Sequence, residues 1–186
     1  NPQPKYDDAK TVTLDLLSRL DTDIAALNAD ADGFGTADII YGGNVGKWQK
    51  FANSLRLKLA MVIADVDPGT AGAKIAASAA LPLITSNADN ALFKYVGAPN
   101  NNPLSNDVPP RSARQDFVMA NTLVDEMNTL NDPRRAAYFT TVGGEYVGGK
   151  YGFSNVYANF STFSTKVTAT TFPGNMLDAS EVNFLL

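Results

Sequence analysis

The sequence predicts a mainly α fold with long loops and minor β structure. Three observations carry this. Apolar residues recur at helical spacing in several segments, Gly, Pro and Asn clusters separate those segments, and a late stretch loses the helical period altogether.

The chain has 186 residues, 45% of them hydrophobic and 18% charged, the balance of one soluble domain with a real core. The longest unbroken apolar run, Leu59 to Ala64, is far too short to cross a bilayer. Net charge is −4 with dispersed Lys and Arg, so no electrostatic footprint for nucleic acid exists. Cysteine and histidine are both missing. That excludes disulfides, thiolate or His-ligated zinc sites, a Ser-His-Asp triad and a histidine general base. Abundant Asn, Thr, Ser, Ala and Gly with sparse Lys and Glu suits an exported protein.

Taken in order, Asp7 or Asp8 caps a first helix, in which Ala9, Val12, Leu16, Leu20, Ile24 and Leu27 share a face, to about Ala29. A second helix runs from near Val45 to Ala64 or Asp65. Its stripe of Trp48, Phe51, Leu55, Leu59 and Val62, widened by Leu57, Met61 and Ile63, makes it central, and Asp67-Pro68-Gly69 closes it. Ala71 to Ala80 is a third helix. Asn90 to Val96 alternates as a short strand. Gly97 to Pro110, with four prolines and five Asn or Asp, is loop. Ser112 caps a fourth helix that buries Phe117, Leu123, Val124, Met127 and Leu130, and Asp132-Pro133 ends it. Tyr138 to Thr171 is loop with some extended structure. A last helix begins near Leu177, capped by Asp178 or Ser180, with Glu181 in its first turn. Its apolar end, Phe184-Leu185-Leu186, reads as a cut inside a helix. The expectation is one region, residues 1–186, truncated at both ends: a helical core over about 8–80 and 112–131, a loop-rich segment over about 138–175, and the start of a further helix at 178–186.

Candidate chemical motifs are weak. Asn28-x-Asp30-x-Asp32-Gly33 partly matches a calcium loop, but its twelfth position is Ile39, which has no carboxylate, so a polar helix-ending loop is the better reading. Asp15, Asp21, Asp23, Asp125 and Glu126 read as solvated helix charges rather than a glycosidase pair. The glycines between Gly33 and Gly46 form no phosphate cradle. No catalytic residue, metal site or cofactor is expected. The aromatics Tyr138, Phe139, Tyr146, Tyr151, Phe153, Tyr157, Phe160 and Phe163 are of more interest. Rings on Gly- and Asn-rich loops either stack on sugars or pin the loop to the body.

The second helix carries a specific pattern. Asp38-Ile-Ile-Tyr41-Gly-Gly-Asn-Val-Gly-Lys47-Trp48-Gln-Lys-Phe51-Ala-Asn53-Ser54-Leu55-Arg56-Leu-Lys-Leu-Ala-Met61 resembles the signature of SusD-like (SusD/RagB) proteins, D-x-x-Y-x-G-D followed by K-W-x-K-F-A-N-S-L-R-L-R-L-A-M-R. Asn44, Lys58 and Val62 stand where the family often has aspartate, arginine and a basic residue. Ile84-x-Ser86-x-Ala88-Asp89-Asn90-Ala91-x-Phe93-x-Tyr95, then Asp132-Pro133-Arg134, then the stretch from Pro173 through Met176, Ala179 and Glu181 to Leu186 resemble further family segments in the same order.

The resemblance implies a tetratricopeptide-like helical SusD-type fold in a cell-surface lipoprotein of the outer membrane, with its N-terminal lipid anchor outside this chain. It implies non-catalytic capture of glycans or other oligomeric nutrients, delivered to a TonB-dependent SusC-like transporter. The partners are then an oligosaccharide or polysaccharide and that transporter. A structural docking scaffold with ligand contacts elsewhere, or a peptide binder, is the alternative. The signature itself reads as scaffold, with Asn53 bonding backbone at a helix crossing and Arg134 meeting a helix pole or an acidic partner. Tyr146, Tyr151 and Tyr157, on loops after Asp132-Pro133-Arg134, are the candidate ligand contacts on composition.

Overall fold

The structure, a computed structural model, describes residues 3–186. The chain forms two compact units, one of residues 3–93 with 175–186, the other of residues 94–174. Among the described residues, no helix is long and apolar enough to cross a membrane.

The first unit is built on three helices. Helix α1, Ala9–Ala26, begins where the Asp8 carboxylate accepts the Thr11 N–H at 2.9 Å. It stops short of the expected Ala29 because Leu27 turns extended and the Asn28 carboxamide oxygen captures the Asp30 N–H at 3.0 Å. Helix α2, Val45–Val62, is capped by Asn44 on the Lys47 N–H. Helix α3, Pro68–Ala79, is capped by Asp67 on the Thr70 N–H. Asp67-Pro68 was expected to close α2. It opens α3 instead, because an Asp cap followed by proline at the first helical position is a helix start. Helix α2 packs against both α1 and α3.

The buried face of α2 differs from the apolar stripe. Its deepest side chains are Asn53, Ser54, Arg56, Leu57 and Ala60, whereas Trp48, Phe51, Leu55 and Leu59 are half-buried and Val62 is 67% exposed. Hydrogen bonding explains this. Asn53 Nδ2 donates to the carbonyls of Ser78, Leu81 and Pro82 at 2.9, 3.2 and 3.1 Å, and so binds backbone at a helix crossing. Arg56 donates Nε to Ser78 Oγ at 2.9 Å, Nη1 to Asp21 at 3.0 Å and Nη2 to Asn53 Oδ1 at 2.8 Å. Lys74 also pairs with Asp21. Asp21 is therefore a half-buried junction of three helices, not a solvated charge. Partial burial raises its carboxyl pKa, but Lys74 and Arg56 outweigh that and hold it below the usual range.

The apolar core of this unit joins Leu57 to Leu83, Ile84, Ala91, Leu177 and Val182. Strand β1, Ala91–Phe93, shorter than the expected Asn90–Val96, pairs with β2, Gly174–Leu177, in a two-stranded sheet. Between β2 and the last helix, Asp178 accepts the Glu181 N–H at 2.8 Å. Helix α7, Ala179–Leu185, follows and packs on α2, with Lys58 and Glu181 paired at 2.6 Å.

The second unit holds three short helices, and here two expectations are corrected. Gly97 to Pro110 is not all loop. Helix α4, Pro103–Asp107, starts at Asn102, whose Oδ1 accepts the Leu104 N–H and whose Nδ2 donates to the carbonyls of Val167 and Ala169. The fourth predicted helix does not start at Ser112. That hydroxyl accepts the Arg114 N–H in a local turn, and the main chain at Met119 is held by partners elsewhere: its N–H donates to the Ser161 carbonyl and its own carbonyl accepts from Gly149. Helix α5 runs only over Asn121–Thr129, with Val124 and Met127 buried but Leu123 and Leu130 exposed and Phe117 outside it. Helix α6, Arg135–Tyr138, follows Asp132. Phe139 and half-buried Met119 and Tyr146 complete the apolar cluster with Val124 and Met127.

From Tyr138 to Thr171 the chain makes turns and isolated bridges, as its composition implies. Val142 and Glu145 exchange both backbone bonds around Gly143 and Gly144, whose φ values of 60° and 91° suit glycine.

Candidate functional site

Two hollows differ in chemistry. The first, in the first unit, has a volume of about 770 Å³ and is walled by Leu20, Leu27, Phe34, Ile39, Trp48 and Phe51, with Asp38 at its edge. Trp48 stands edge-on between Tyr41 and Phe51, at ring distances of 5.2 and 5.6 Å. Asp38 is committed to structure. Its carboxylate accepts the N–H groups of Ile40 at 3.0 Å, Tyr41 at 3.1 Å and Gly43 at 2.9 Å, and Trp48 Nε1–H at 2.7 Å. Partial burial raises its pKa, but these donors outweigh it and hold the carboxyl below the usual range. Tyr41 is pushed up to about 12 by burial and then by the charges of Asp89 and Asp38, and it donates its hydroxyl hydrogen to the Asp89 carbonyl at 2.9 Å. The signature residues thus lock the 38–44 turn onto α2.

The second hollow, of about 320 Å³, lies within the second unit. That volume sits at the lower end of small-molecule pockets. Pro109, Pro110, Phe117, Tyr157 and Phe163 supply apolar faces, while Thr140, Thr162, Thr165, Thr168 and Arg114 supply polar groups. Its wall is held by backbone. Thr140 N–H donates to the Thr162 carbonyl at 2.9 Å, Thr162 N–H donates to Thr140 Oγ1 at 2.9 Å, and Phe139 bridges Phe163. Behind it, buried Ser161 accepts the Val147 N–H on Oγ and the Met119 N–H on its carbonyl. Arg114 lies over the Phe117 ring at 4.8 Å and forks onto Asp116, with its Nη2 at 2.7 Å. The hydroxyls of Tyr157 and Thr165 have no protein partner among the described residues.

Such a surface suits a saccharide. Ring C–H faces stack on aromatic and proline planes, and hydroxyls meet Thr, Tyr and Arg. The first hollow differs in its polar groups: its wall carries the carboxylates of Asp23, Asp32 and Asp38, the last already holding four donors, and no hydroxyl side chain.

The three candidate tyrosines take different places. Tyr146 is half-buried, its ring 6.3 Å from Phe139, and the Arg135 guanidinium covers it at 5.3 Å. Tyr151 is 84% exposed beside Gly152, and lines neither hollow. Tyr157 opens a single 3-10 turn, Tyr157–Asn159, and lines the second hollow. Arg114, Phe117 and the threonines were not singled out as contacts from sequence. An aromatic three residues past an Asp-paired arginine is the one local signal, and a helix expected over that segment hid it. Arg134 meets the acidic partner expected for it: Asp132 accepts its N–H at 2.8 Å and its Nε at 3.0 Å. The Arg134 side chain first, and then its backbone N–H, hold the buried Asp132 carboxyl down at about 2.

Comparison with known proteins adds the following. The family model SusD-like_2, described as starch-binding and associating with outer membrane, matches residues 1–186. No curated protein matches the chain. Among solved structures, a SusD homolog from Bacteroides uniformis superimposes with a TM-score of 0.85 at 34% identity, over 98% of this chain and 39% of its own. A SusD-like protein from Bacteroides thetaiotaomicron matches at 0.79 and 31% identity, over 100% and 40%. A chitin-binding SusD homolog from Flavobacterium johnsoniae matches at 0.83 and 29%, over 97% and 39%. The chain thus spans about two fifths of the length of these relatives.

Proposed function

The chain belongs to the SusD-like family, and from that premise we infer that it serves in non-catalytic capture of glycans at the bacterial cell surface. The observation that carries this reading is the second hollow, where aromatic and proline faces meet the hydroxyls of Tyr157 and Thr165, which have no protein partner among the described residues. The family's description as starch-binding and the chitin-binding relative support a carbohydrate ligand. The reading includes a lipid anchor in the full-length protein and handover to a TonB-dependent SusC-like transporter. Affinity comes from ring stacking flanked by hydrogen bonds, with no bond made or broken.

Isothermal titration of the full-length protein against a broad panel of oligosaccharides tests it. Saturable binding without product is expected. Heat without saturation across the whole panel, or hydrolysis of the bound glycan, overturns the reading.

The first hollow favours a second reading, a docking scaffold for the transporter, because Phe34 stands 88% exposed at its rim. Co-purification with a SusC-like barrel that Phe34→Asp abolishes, while Tyr157→Ala leaves it intact, distinguishes that role.

A further inference from the structure

We propose that Asp116 sets the ligand class of the second hollow: by filling the fork of Arg114 it makes the site select neutral saccharides over uronates and other anionic glycans. The proposal rests on the capture reading above.

Arg114 is the one ionised side chain among those lining this hollow. An arginine fork beside an aromatic plane is otherwise a ready receptor for a carboxylate, since two parallel N–H donors match its two oxygens. Here a carboxylate from the same loop already occupies that edge. Asp116 Oδ2 accepts Nη2 at 2.7 Å and Nε at 3.1 Å, and Oδ1 accepts Nε at 3.2 Å. The guanidinium plane is held over Phe117 at 4.8 Å, so its Nε–Nη2 edge stays with Asp116, and a second anion could meet only the Nη1–Nη2 edge of a cation whose charge Asp116 already offsets. Its remaining donors serve hydroxyl or carbonyl oxygens of a neutral sugar.

An anionic ligand faces a further obstacle. It must displace Asp116 or sit beside it, and two carboxylates at one cation repel. The pair stays ionised across the physiological range, because each member stabilises the charged form of the other: the Arg114 bonds draw Asp116 below the usual carboxylate range, and Asp116 raises Arg114. Asp107 adds negative potential to the same guanidinium. The Tyr157 and Thr165 hydroxyls, without a partner among the described residues, are neutral, and they complete a site in which polarity is supplied without net charge.

Both members of the pair are about half exposed. An exposed pair contributes little to folding, so Asp116→Asn is a usable variant. The test is titration of full-length wild type, Asp116→Asn, the double variant Asp116→Asn/Arg114→Met, and Tyr157→Ala. The probes are neutral malto- and chito-oligosaccharides and oligogalacturonates of matched length. The wild type is expected to prefer a neutral probe. In Asp116→Asn the ratio of uronate to neutral affinity rises about tenfold or more, the gain weakens with added salt, and the double variant loses it. A wild type that prefers uronate, or a ratio unchanged in Asp116→Asn while Tyr157→Ala loses neutral binding, overturns the role of Asp116 and leaves the capture reading standing. Neutral binding unaffected by Tyr157→Ala overturns the hollow as the site, and absence of binding to every probe overturns the capture reading together with this one.

Discussion

Asp38 shows how one side chain organises a turn. Its carboxylate collects four N–H donors, three from the 40–43 backbone and one from Trp48. Removing a charged acceptor leaves those donors unmatched in a half-buried place. Asp38→Ala is therefore expected to destabilise the fold by about 3 kcal/mol, read as a lower urea midpoint at constant m-value. Asp132 makes a different prediction, about pH. Arg134 and its backbone N–H hold the carboxyl at about 2 against an ordinary value of 3.8. A group depressed in the folded state stabilises fully above its unfolded value, and that contribution is lost as pH falls from about 4 toward 2. Carbon-detected NMR titration should find the Asp132 carboxyl midpoint near 2, and Arg134→Ala should return it toward 3.8.

At the scale of elements, the starts of the first two helices and of the last were legible, and that of α3 was not, since Asp67-Pro68 reads equally as a stop. Asp8, Asn44, Asp67 and Asp178 each place an oxygen on a backbone N–H three residues on, a purely local geometry. Asp67→Ala is expected to cost about 1 kcal/mol, seen as a fall in the thermal midpoint. Gly148 belongs to this scale as well. A Cβ there would meet the Asn121 Cα at 2.3 Å, because the 147–149 segment runs against the start of α5. Gly148→Ala should destabilise by about 1–3 kcal/mol, whereas Gly69→Ala, with open space around it, should not lower the denaturation midpoint. The missed start of α5 is the counterpart. Ser112 has cap chemistry, yet the backbone at Met119 is drawn to Ser161 and Gly149, partners more than 25 residues away that no local pattern reveals.

Across the whole molecule, the polar junction of Arg56, Asn53, Ser78 and Asp21 ties α1, α2 and α3 together. Arg56→Met strips partners from all three and should cost about 3–5 kcal/mol. Its coupling to Asp21 is measurable by a double-mutant cycle. At the same scale, Tyr157→Ala is expected to weaken glycan affinity about tenfold, while Tyr146→Ala lowers thermal stability through the Val124, Met127 and Phe139 cluster.

The sequence by itself determined the class of fold, the family through the Asp38 to Met61 signature, and the starts of the first two and the last helices. Those follow from periodicity and capping, which act over a few residues. Only the tertiary structure decided which face of α2 is buried. Arg56 and Asn53 go inward because their donors find fixed acceptors on α1, at the end of α3 and just beyond it, and Val62 goes outward although it is the more apolar side chain. Only it set Tyr157, and not Tyr146 or Tyr151, on one wall with Arg114 and Phe117, and put Asp116 on the Arg114 guanidinium. A loop's ligand surface is made by segments distant in the chain, and their meeting is settled by backbone bonds such as that of Thr140 to Thr162, not by local propensity.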